Sequence, residues 1–582
     1  MKNLLLIVFM FFSLSGCSDK NEDWSSYGKD LTNQRYSKLQ QINEKNVQNL
    51  SEDWSFRTGV KATFQATPIV QNGVMFVSLP FNGVVALDGK TGKELWRYEH
   101  DLTPEWEMCC GPSNRGVAIH ENQLFFGTVD ARLISLNIKT GAKIWDKKVV
   151  GNQVKTESIS SLDRSDTNRK KKVTGGTGVG ISMAPVVYKN QVIIGITGVG
   201  YGLHLEKEGS NTSLGPVVGL SGRFGRSGFL AAYDISTGEQ KWQFNTIPSK
   251  GWEGKFTNYT EDGTALNRDI YYEKQNLDLY PDASKFGGGS AWTTPAIDKV
   301  TDTLFFGTGN PSPQMSSETR PGDNLYTVSL IALDANTGKL KWHYQQVPHD
   351  IWGYDVASPP VLFYTIHKDK VIPAIGQAGK TGWFYIHHRD TGELLLKSDP
   401  FVPQSNLFTN ASKEGTVIYP GILGGSNWSP VSLNTDKNLA FISGIHAPIK
   451  YTLHEKIAND KILKYTSSEP TNDSQWGLLS AINLSNGKIV WQHRTDQPLL
   501  GGTLATKGDL VFSGEGNGNF NAFNSQTGEL LWQTKVEAGV NAPPITYMID
   551  GKQYIAVAAG GNKIMGFTQG DFINVYSLPY TN

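Results

Sequence analysis

One phrase recurs along this chain of 582 residues: an apolar run, a turn rich in Asp, Asn and Thr that ends in glycine, and a second run that closes on tryptophan. Clear copies are "ALDGKTGKELW" and "ALDANTGKLKW", and a worn copy, "IHHRDTGELLL", ends near Leu396. Glycine supplies the positive φ that such a turn needs, and the flanking runs have the composition of strands. The phrase therefore predicts a repeated β-hairpin, and an indole closes it at six positions: Trp96, Trp145, Trp242, Trp342, Trp491 and Trp532.

The spacing of these indoles predicts the architecture. Successive copies lie 49, 97, 100, 149 and 41 residues apart, and most of these spacings are near multiples of about 50 residues, the length of one four-stranded propeller blade. Seven phrases and the stretch "LSEDWSF" around Trp54 predict an all-β, eight-bladed β-propeller over residues 31–582, closed by strands from both termini. Loop insertions are expected near 151–180 and 201–227. A solenoid is the alternative, and the indoles are interpreted as wedges between blades.

The first residues predict export. Lys2 and an apolar run from Leu4 to Phe12 lead into "LSGC", and this run is too short to span a bilayer but fits the core of a secretory signal. Residues 1–17 are interpreted as a lipoprotein signal peptide with a lipobox ending at Cys17, and residues 18–30 as a tether. An uncleaved anchor is the alternative. The expected location is the periplasm, with a lipid on Cys17 attaching the protein to the cell envelope membrane.

Composition excludes two classes of function. Lys and Arg together number 54, as do Asp and Glu, so no broad electrostatic field favours nucleic acid. The sequence has no "CxxCH" motif, which excludes covalently attached c-type haem.

Two of the three cysteines, Cys109 and Cys110, are adjacent in "EMCCGPSNRG". Neighbouring Cα atoms lie about 3.8 Å apart, below the roughly 4.4–6.8 Å that disulfides usually span. A bond between them would close a small strained ring and constrain no loop. Two free thiols are the alternative, although export favours the bond because disulfides persist outside the cytoplasm.

Several motifs break the repeat, and they fall in successive blades, so they could converge on the central axis. They are "CCGPSNRG" with Arg115, "GGGSAW" ending at Trp292, "FGTGNP" with Asn310, "PHDIWGYD" ending at Asp355, "QAGKTGW" with Lys380 and "GGSNW" with Asn427. Together these motifs resemble those of the pyrroloquinoline quinone (PQQ)-dependent alcohol and glucose dehydrogenases. The resemblance covers nearly the whole mature chain, and the vicinal cysteines followed by Asn-Arg-Gly are its most specific part.

The resemblance implies a site. A Cys109–Cys110 disulfide and Trp292 would sandwich PQQ, and Lys380 would polarise its reactive carbonyl. Further cofactor contacts are implied for Arg115, Ser182, Thr197, Gly198 and Asn427. Asn310 would bind Ca²⁺ or a lanthanide, since such hard ions prefer oxygen ligands. Without the resemblance, Arg115 would be interpreted as a member of a surface ion pair and Asn310 as a turn residue. Ser182 and Thr197 would be interpreted as residues that place ordinary hydroxyls on strands.

Three departures from the family pattern concern the chemistry. Gly353 in "HDIWGYD" stands where the family has its catalytic aspartate, so Asp355 would have to act as base and metal ligand, with Asp350 and His349 as alternatives. Introducing an aspartate at position 353 is expected to raise activity or tighten metal binding. The family's glutamate metal ligand aligns with Gly200 or Arg223; Glu206 and Glu208 are possible substitutes. Gln65 replaces a glutamate that touches the cofactor.

The resemblance implies a PQQ-dependent dehydrogenase that oxidises an alcohol, polyol or sugar hydroxyl by hydride transfer to the quinone. Electrons would pass to a separate acceptor, a cytochrome c or a membrane quinone. The alternatives are a PQQ-binding lipoprotein without turnover and an envelope scaffold propeller. A scaffold gives no purpose to the adjacent cysteines, Trp292 or Lys380.

Overall fold

The computed structural model describes residues 21–101, 111–150, 179–199, 226–458 and 461–579, and the backbone of three short strands between 173 and 216. Across these residues the protein is almost entirely β-structure. The single α-helix of the described chain is Ile270–Gln275, and 3₁₀ turns lie at Val47–Asn49, Pro80–Asn82, Leu277–Leu279, Ala283–Phe286 and Thr435–Lys437. No helix in this part of the chain is long and apolar enough to cross a membrane.

The described strands form eight antiparallel sheets with four repeat strands each, numbered here along the chain. Sheet 1 combines Ser51–Arg57 with the C-terminal strands Phe572–Ser577, Lys552–Ala559 and Ile545–Ile549. Sheet 2 has Ile69–Gln71, Val74–Leu79, Gly83–Asp88 and Glu94–Tyr98. Sheet 3 has Ala118–His120, Gln123–Gly127, Arg132–Asn137 and Lys143–Lys148. Sheet 4 has Val186–Tyr188, Gln191–Gly195, Phe229–Asp234 and Gln240–Asn245.

The remaining four sheets repeat this plan. Sheet 5 has Ala296–Asp298, Thr303–Gly307, Ser329–Asp334 and Leu340–Gln345, and sheet 6 has Val361–His367, Lys370–Ala378, Phe384–His388 and Leu394–Lys397. Sheet 7 has Ser432–Asn434, Leu439–His446, Trp476–Asn483 and Ile489–Thr495. Sheet 8 has Thr503–Thr506, Leu510–Gly514, Asn519–Asn524 and Leu530–Lys535, with Tyr36–Ser37 added in parallel. Two smaller sheets are Val173–Gly175 with His204–Glu206 and Ser213–Pro216, and Thr416–Ile418 with Ile449–Ala458 and Lys461–Pro470.

The repeated phrase forms the third and fourth strands of a sheet, and its indole contacts the next sheet. The indole N–H of Trp96 in sheet 2 donates to the carbonyl of Ile138 at 3.0 Å, beyond the third strand of sheet 3. The turn glycine of sheet 3, Gly141, has φ +71°, and a Cβ there would lie 2.5 Å from the Trp96 ring. Glycine is therefore required in the turn both for its backbone conformation and for the room it leaves to the neighbouring indole.

The same contact recurs from sheet to sheet. Trp145 of sheet 3 donates to the Ile235 carbonyl at 2.9 Å, and Trp491 of sheet 7 donates to the Ser525 carbonyl at 3.0 Å. Trp532 of sheet 8 donates to the carbonyl of Leu50, just before sheet 1, at 3.0 Å. In sheet 6, whose phrase has no tryptophan, Leu396 lies against Gly487 of sheet 7 instead. The interpretation of the indoles as wedges therefore agrees with these contacts.

The N-terminal segment corrects one boundary. Residues 18–30 were predicted to be a tether, yet Trp24 is fully buried, and its backbone N–H donates to the Val70 carbonyl at 3.0 Å. Farther along, the carbonyls of Leu31 and Arg35 accept from sheets 5 and 8, at Ile297 and Ala505 respectively. Residues 21–35 thus belong to the folded body, because their apolar side chains and backbone groups find partners on several sheets.

Strand direction places the repeat-breaking motifs at one end of the sheets. In each sheet a tight turn joins the first two repeat strands, as at Asn72–Gly73 in sheet 2. Arg115 precedes the first strand of sheet 3, and Lys380 follows the second strand of sheet 6, so both lie at the end opposite to those turns. Antiparallel pairing therefore brings motifs that are far apart in sequence to one face.

Candidate functional site

A cavity of about 240 Å³, called here the site cavity, lies at that end. Its lining includes eight of the residues predicted from the sequence: Arg115, Ser182, Thr197, Trp292, Asn310, Asp355, Lys380 and Asn427. Gly198 follows Thr197 with φ +78° and is not part of the lining. Cys109 and Cys110 lie outside the described residues, although Gly111 and Ser113, which follow them, line the cavity. The structure thus brings together side chains from six separate motifs.

Arg115 is a buried cation that has no counter-charge among the described residues. Its Nη1 donates to the Ser182 hydroxyl at 2.9 Å and to the Trp292 carbonyl at 3.2 Å. No acidic side chain pairs with it among the described residues, and its Nε has no hydrogen-bond partner there. Burial lowers its pKa to about 10, so the group remains charged at neutral pH. A buried cation with a free donor is expected to attract an anionic ligand.

Two indoles frame this guanidinium. Its central carbon lies 5.0 Å from the Trp292 ring centroid and 5.4 Å from that of Trp428, within the range of cation–π attraction. The indole nitrogen of Trp428 is also buried without a partner in the described chain. Trp428 was not predicted as a site residue, although it ends the motif "GGSNW" outside the repeat phrase. That position was the available signal.

Asp355 and Lys380 form a buried ion pair in the same cavity. The Lys380 ammonium donates to Asp355 Oδ2 at 2.7 Å and to the Gly353 carbonyl at 2.9 Å. The other carboxylate oxygen, Oδ1, accepts the backbone N–H of Asn310 at 2.6 Å. The two side chains predicted to carry the chemistry therefore satisfy each other in the absence of a ligand.

Gly353 changes the expectation for an introduced aspartate. Its φ is +84°, and a Cβ there would lie 2.4 Å from Gln314 Nε2 and 2.7 Å from Ile422 Cγ1. Any side chain would meet both a strained backbone and occupied space. The expectation that Gly353→Asp raises activity does not take this into account, because the turn is built around glycine.

The Asp350 carboxylate fixes the backbone of this turn. Its carboxylate accepts the N–H groups of Trp352, Gly353 and Tyr354 at 3.1–3.2 Å. Burial raises its pKa to about 7, although the backbone donors and Arg320 act in the opposite direction. Asp350 is fully buried and does not line the site cavity, so it positions Gly353 and its neighbours and contacts no ligand there.

The metal site can be tested only in part. Asn310 and Asp355 line the cavity, but Gly200, Glu208 and Arg223 lie outside the described residues, as does the side chain of Glu206. Among the described residues no group of three or more His, Cys, Asp or Glu side chains is placed to hold a metal ion. Two protein ligands are too few for Ca²⁺, which takes about 6–8 oxygens. These residues alone do not form a metal site.

Several other residues that line the cavity were not predicted from the sequence. They are Ser290, Gln314, Ile422, Leu423, Asn562, Ile564 and Met565. Gln65, singled out as a departure from the family pattern, lies in the same wall. The C-terminal loop residues carry no motif, and their place follows from the pairing of the last strands with the first.

Comparisons with known proteins agree with this geometry. The family profile described as "PQQ: Glucose/ethanol/alcohol dehydrogenase, beta-propeller domain" matches residues 24–406 and 457–555. The chain belongs to this family. It is 32% identical to the quinoprotein alcohol dehydrogenase PedH of Pseudomonas putida, over 95% of this chain and 90% of that protein.

Solved structures of the family have a similar fold. The quinohemoprotein alcohol dehydrogenase of Comamonas testosteroni superposes with a TM-score of 0.76 at 28% identity, covering 96% of this chain and 82% of that one. A europium-containing methanol dehydrogenase gives the same TM-score at 25% identity, covering 96% and 99%. The resemblance stated from the motifs is confirmed, and so is an all-β propeller fold.

Proposed function

We propose that this protein is a PQQ-dependent dehydrogenase that oxidises an alcohol and passes the electrons to a separate acceptor. The observation that carries the proposal is Arg115, a buried cation with no acidic partner among the described residues, in a cavity that also holds the Asp355–Lys380 pair. Family membership and the alcohol dehydrogenases among the relatives support it. Polyols and sugars remain candidate substrates.

The residues of the site cavity fit a flat, anionic cofactor. Arg115 would bind a carboxylate through its free Nε–H, and Ser182, Thr197 and Asn427 would add polar contacts. Trp292 would cover one face, and a Cys109–Cys110 disulfide is proposed for the other. When bound, PQQ supplies the hydride acceptor.

The protein's own groups divide the remaining work. Asp355 is the only carboxylate among the cavity-lining residues of the described chain, and in our proposal it accepts the proton of the substrate hydroxyl. Lys380 holds this carboxylate in place at 2.7 Å and presents a positive charge to the cavity, where it can stabilise developing negative charge. Lys380 must therefore move relative to Asp355 or share its charge when a substrate binds.

We also propose that the site binds a Ca²⁺ or lanthanide ion, for which the described residues supply only part of the ligands. Asp355 and Asn310 would supply two oxygen ligands, and the others would come from outside the described residues or from the cofactor. No step of the proposal depends on the metal.

We also propose that the eight sheets are the blades of one closed ring. The indole contacts that run from sheet to sheet, including Trp532 to Leu50, support closure. Sheet 1 contains strands from both ends of the chain, as the sequence predicted.

Lipid attachment at Cys17 and a periplasmic location stay proposals. The described chain begins at the turn end of the sheets, where Glu22 pairs with Met548. An anchor at Cys17 would therefore leave the site cavity, at the opposite end, facing away from the membrane and open to a cytochrome c. A Cys17→Ala variant that still fractionates with membranes would contradict the anchor.

PQQ binding without turnover is the second candidate, because both Asp355 oxygens already have partners and Gly353 offers no carboxylate. The test adds PQQ to the purified protein, with and without Ca²⁺ or a lanthanide, and follows the absorbance spectrum and dye reduction with a series of alcohols and sugars. Binding with dye reduction supports the dehydrogenase, and binding alone supports the second candidate. No binding under any metal condition would overturn both and leave the envelope scaffold.

A further inference from the structure

A second cavity, of about 270 Å³, lies beside the site cavity and is called here the side cavity. Its walls come from the connection between sheets 4 and 5, from residues 315–321 and 349–352, and from the long hairpin of the small sheet near 453 and 466. One part of the lining is apolar, with Leu266, Met315, Ile351, Trp352 and Leu453, and another part is polar or charged, including Arg268, Asp269, Glu273, Glu318 and Asn410. None of these residues lines the site cavity.

His349 is one of the polar residues of this lining. The residue is 5% exposed and lines the side cavity. Its Nδ1 lies 2.6 Å from the Gly322 carbonyl and 3.4 Å from Glu273 Oε2, both of which can only accept. Nδ1 therefore carries the proton, and Nε2 presents a lone pair. Within the described residues Nε2 has no hydrogen-bond partner.

The imidazole is held neutral. Burial lowers its pKa well below the ordinary value, and the positive charges of Arg268 and Arg320 add to this effect. The nearby charges are themselves paired: Arg268 contacts Glu273 at 2.7 Å and Asp323 at 2.6 Å. Nε2 is therefore a hydrogen-bond acceptor and not a cation, while the wider lining also includes the carboxylates of Asp269, Glu273 and Glu318.

The ring is also fixed by its backbone. His349 has φ +55°, a conformation uncommon for residues other than glycine, and its N–H donates to the Asp323 carbonyl at 3.0 Å. A strained residue that presents an unused acceptor to a cavity is a reason to look for a ligand.

We propose that the side cavity binds an alcohol. Its hydroxyl donates to Nε2 of His349, and its hydrocarbon part lies against Leu266, Met315, Ile351 and Trp352. A neutral ligand with one donor and an apolar body matches a neutral acceptor that lies beside the apolar part of the wall.

The two cavities share a wall. Met315 lines the side cavity, and its neighbour Gln314 lines the site cavity. Trp352 lines the side cavity, and the next residue, Gly353, lies against Gln314. A role in holding substrate before it reaches the site cavity rests on the proposed function. The binding itself does not.

The test uses the purified full chain without PQQ and two probes, benzyl alcohol and benzyl methyl ether. The ether has nearly the same body and cannot donate a hydrogen bond. Long-range ¹H–¹⁵N spectra report on the histidine nitrogens, and titration gives the affinity. We expect the alcohol to shift the Nε2 resonance of His349, and the ether to bind about five-fold more weakly because it lacks one hydrogen bond.

Two variants separate the site from its neighbours. His349→Asn, which tolerates a left-handed backbone, should weaken the alcohol about five-fold and leave the ether unchanged. Ala411→Phe, at a lining position, should fill the cavity and abolish binding of both probes while His349 stays in place. An unmoved His349 resonance during saturable binding, equal affinities for the two probes, or full binding by Ala411→Phe would each overturn the proposal. Because PQQ is absent, these results do not depend on whether the loaded protein turns over.

Discussion

The two sides of the site cavity differ in how far they are complete without a ligand. On one side Arg115 is a buried cation with no acidic partner in the described chain and a free Nε–H. On the other side Asp355 and Lys380 neutralise each other at 2.7 Å, and Asn310 occupies the second carboxylate oxygen. The first side is ready for an anion, whereas the second must exchange a contact it already has. The fold therefore prepares the Arg115 side to bind an anion more completely than it prepares the Asp355–Lys380 side to react.

The largest effect is expected for a substitution in the Asp355–Lys380 pair. Asp355→Asn keeps the shape and removes the base, so kcat should fall about 1,000-fold while KM changes little. Steady-state dye reduction measures both. Asp53→Asn is the matched control, because Asp53 pairs with Lys552 at 2.6 Å far from the cavity, and its kcat should be unchanged. A kcat within ten-fold of the parent for Asp355→Asn would assign the base elsewhere.

Arg115→Met tests the side that lacks a counter-charge. The affinity for PQQ should fall about 100-fold, since a charge-assisted pair with a carboxylate is lost from a buried site. Fluorescence titration measures it. Arg57→Met is the control, because Arg57 is half-exposed and pairs with Asp571 away from the cavity. If both variants bind PQQ alike, Arg115 serves folding alone and the comparison fails.

The turn between the two sides can be tested through stability. Gly353→Ala should lower the free energy of unfolding by about 3 kcal/mol, from the left-handed backbone and from overpacking against Gln314 and Ile422. Gly59 has a similar φ of +82° but nothing within 4 Å of an added Cβ, so Gly59→Ala should cost only about 1 kcal/mol. Urea unfolding measures both, and equal costs would mean that the space around Gly353 adapts.

The last prediction is a pH dependence and concerns Asp350, whose carboxylate accepts hydrogen bonds from the same turn. Its pKa is raised to about 7 from an ordinary value of 3.8, so between these values the folded protein binds more protons than the unfolded chain. Stability from this group is therefore highest below pH 3.8, falls as the pH rises, and levels off above about pH 7. Asp350→Asn should remove this contribution, so that the difference in Tm between parent and variant changes between pH 4 and pH 7. A constant difference would mean that Asp350 is ionised throughout.

Much of the site could be predicted because its motifs depart from a regular background. Arg115, Trp292, Asn310, Asp355, Lys380 and Asn427 stand out since each interrupts a repeat, and the structure brings all six to one cavity. Trp428 was missed although it ends the motif "GGSNW" outside the repeat phrase, and the loop of Asn562, Ile564 and Met565 was missed because nothing local distinguishes it. The folded state of residues 21–30 was missed for a similar reason: a polar stretch shows no sign of the distant carbonyls that it meets.

By itself the sequence determined the repeated hairpin. Each clear copy of the eleven-residue phrase contains both a turn glycine with positive φ and a closing indole, and these act over short distances. It also determined which residue types face one end of the sheets. Only the tertiary structure decided how those residues pair: Lys380 neutralises Asp355, and within the described chain Arg115 has no acidic partner and Nε2 of His349 has no hydrogen-bond partner beside a second cavity. Such pairings depend on distances of a few ångströms between loops that are far apart in the chain. Arg115 and Ser182, for example, are more than 60 residues apart. No local pattern fixes those distances.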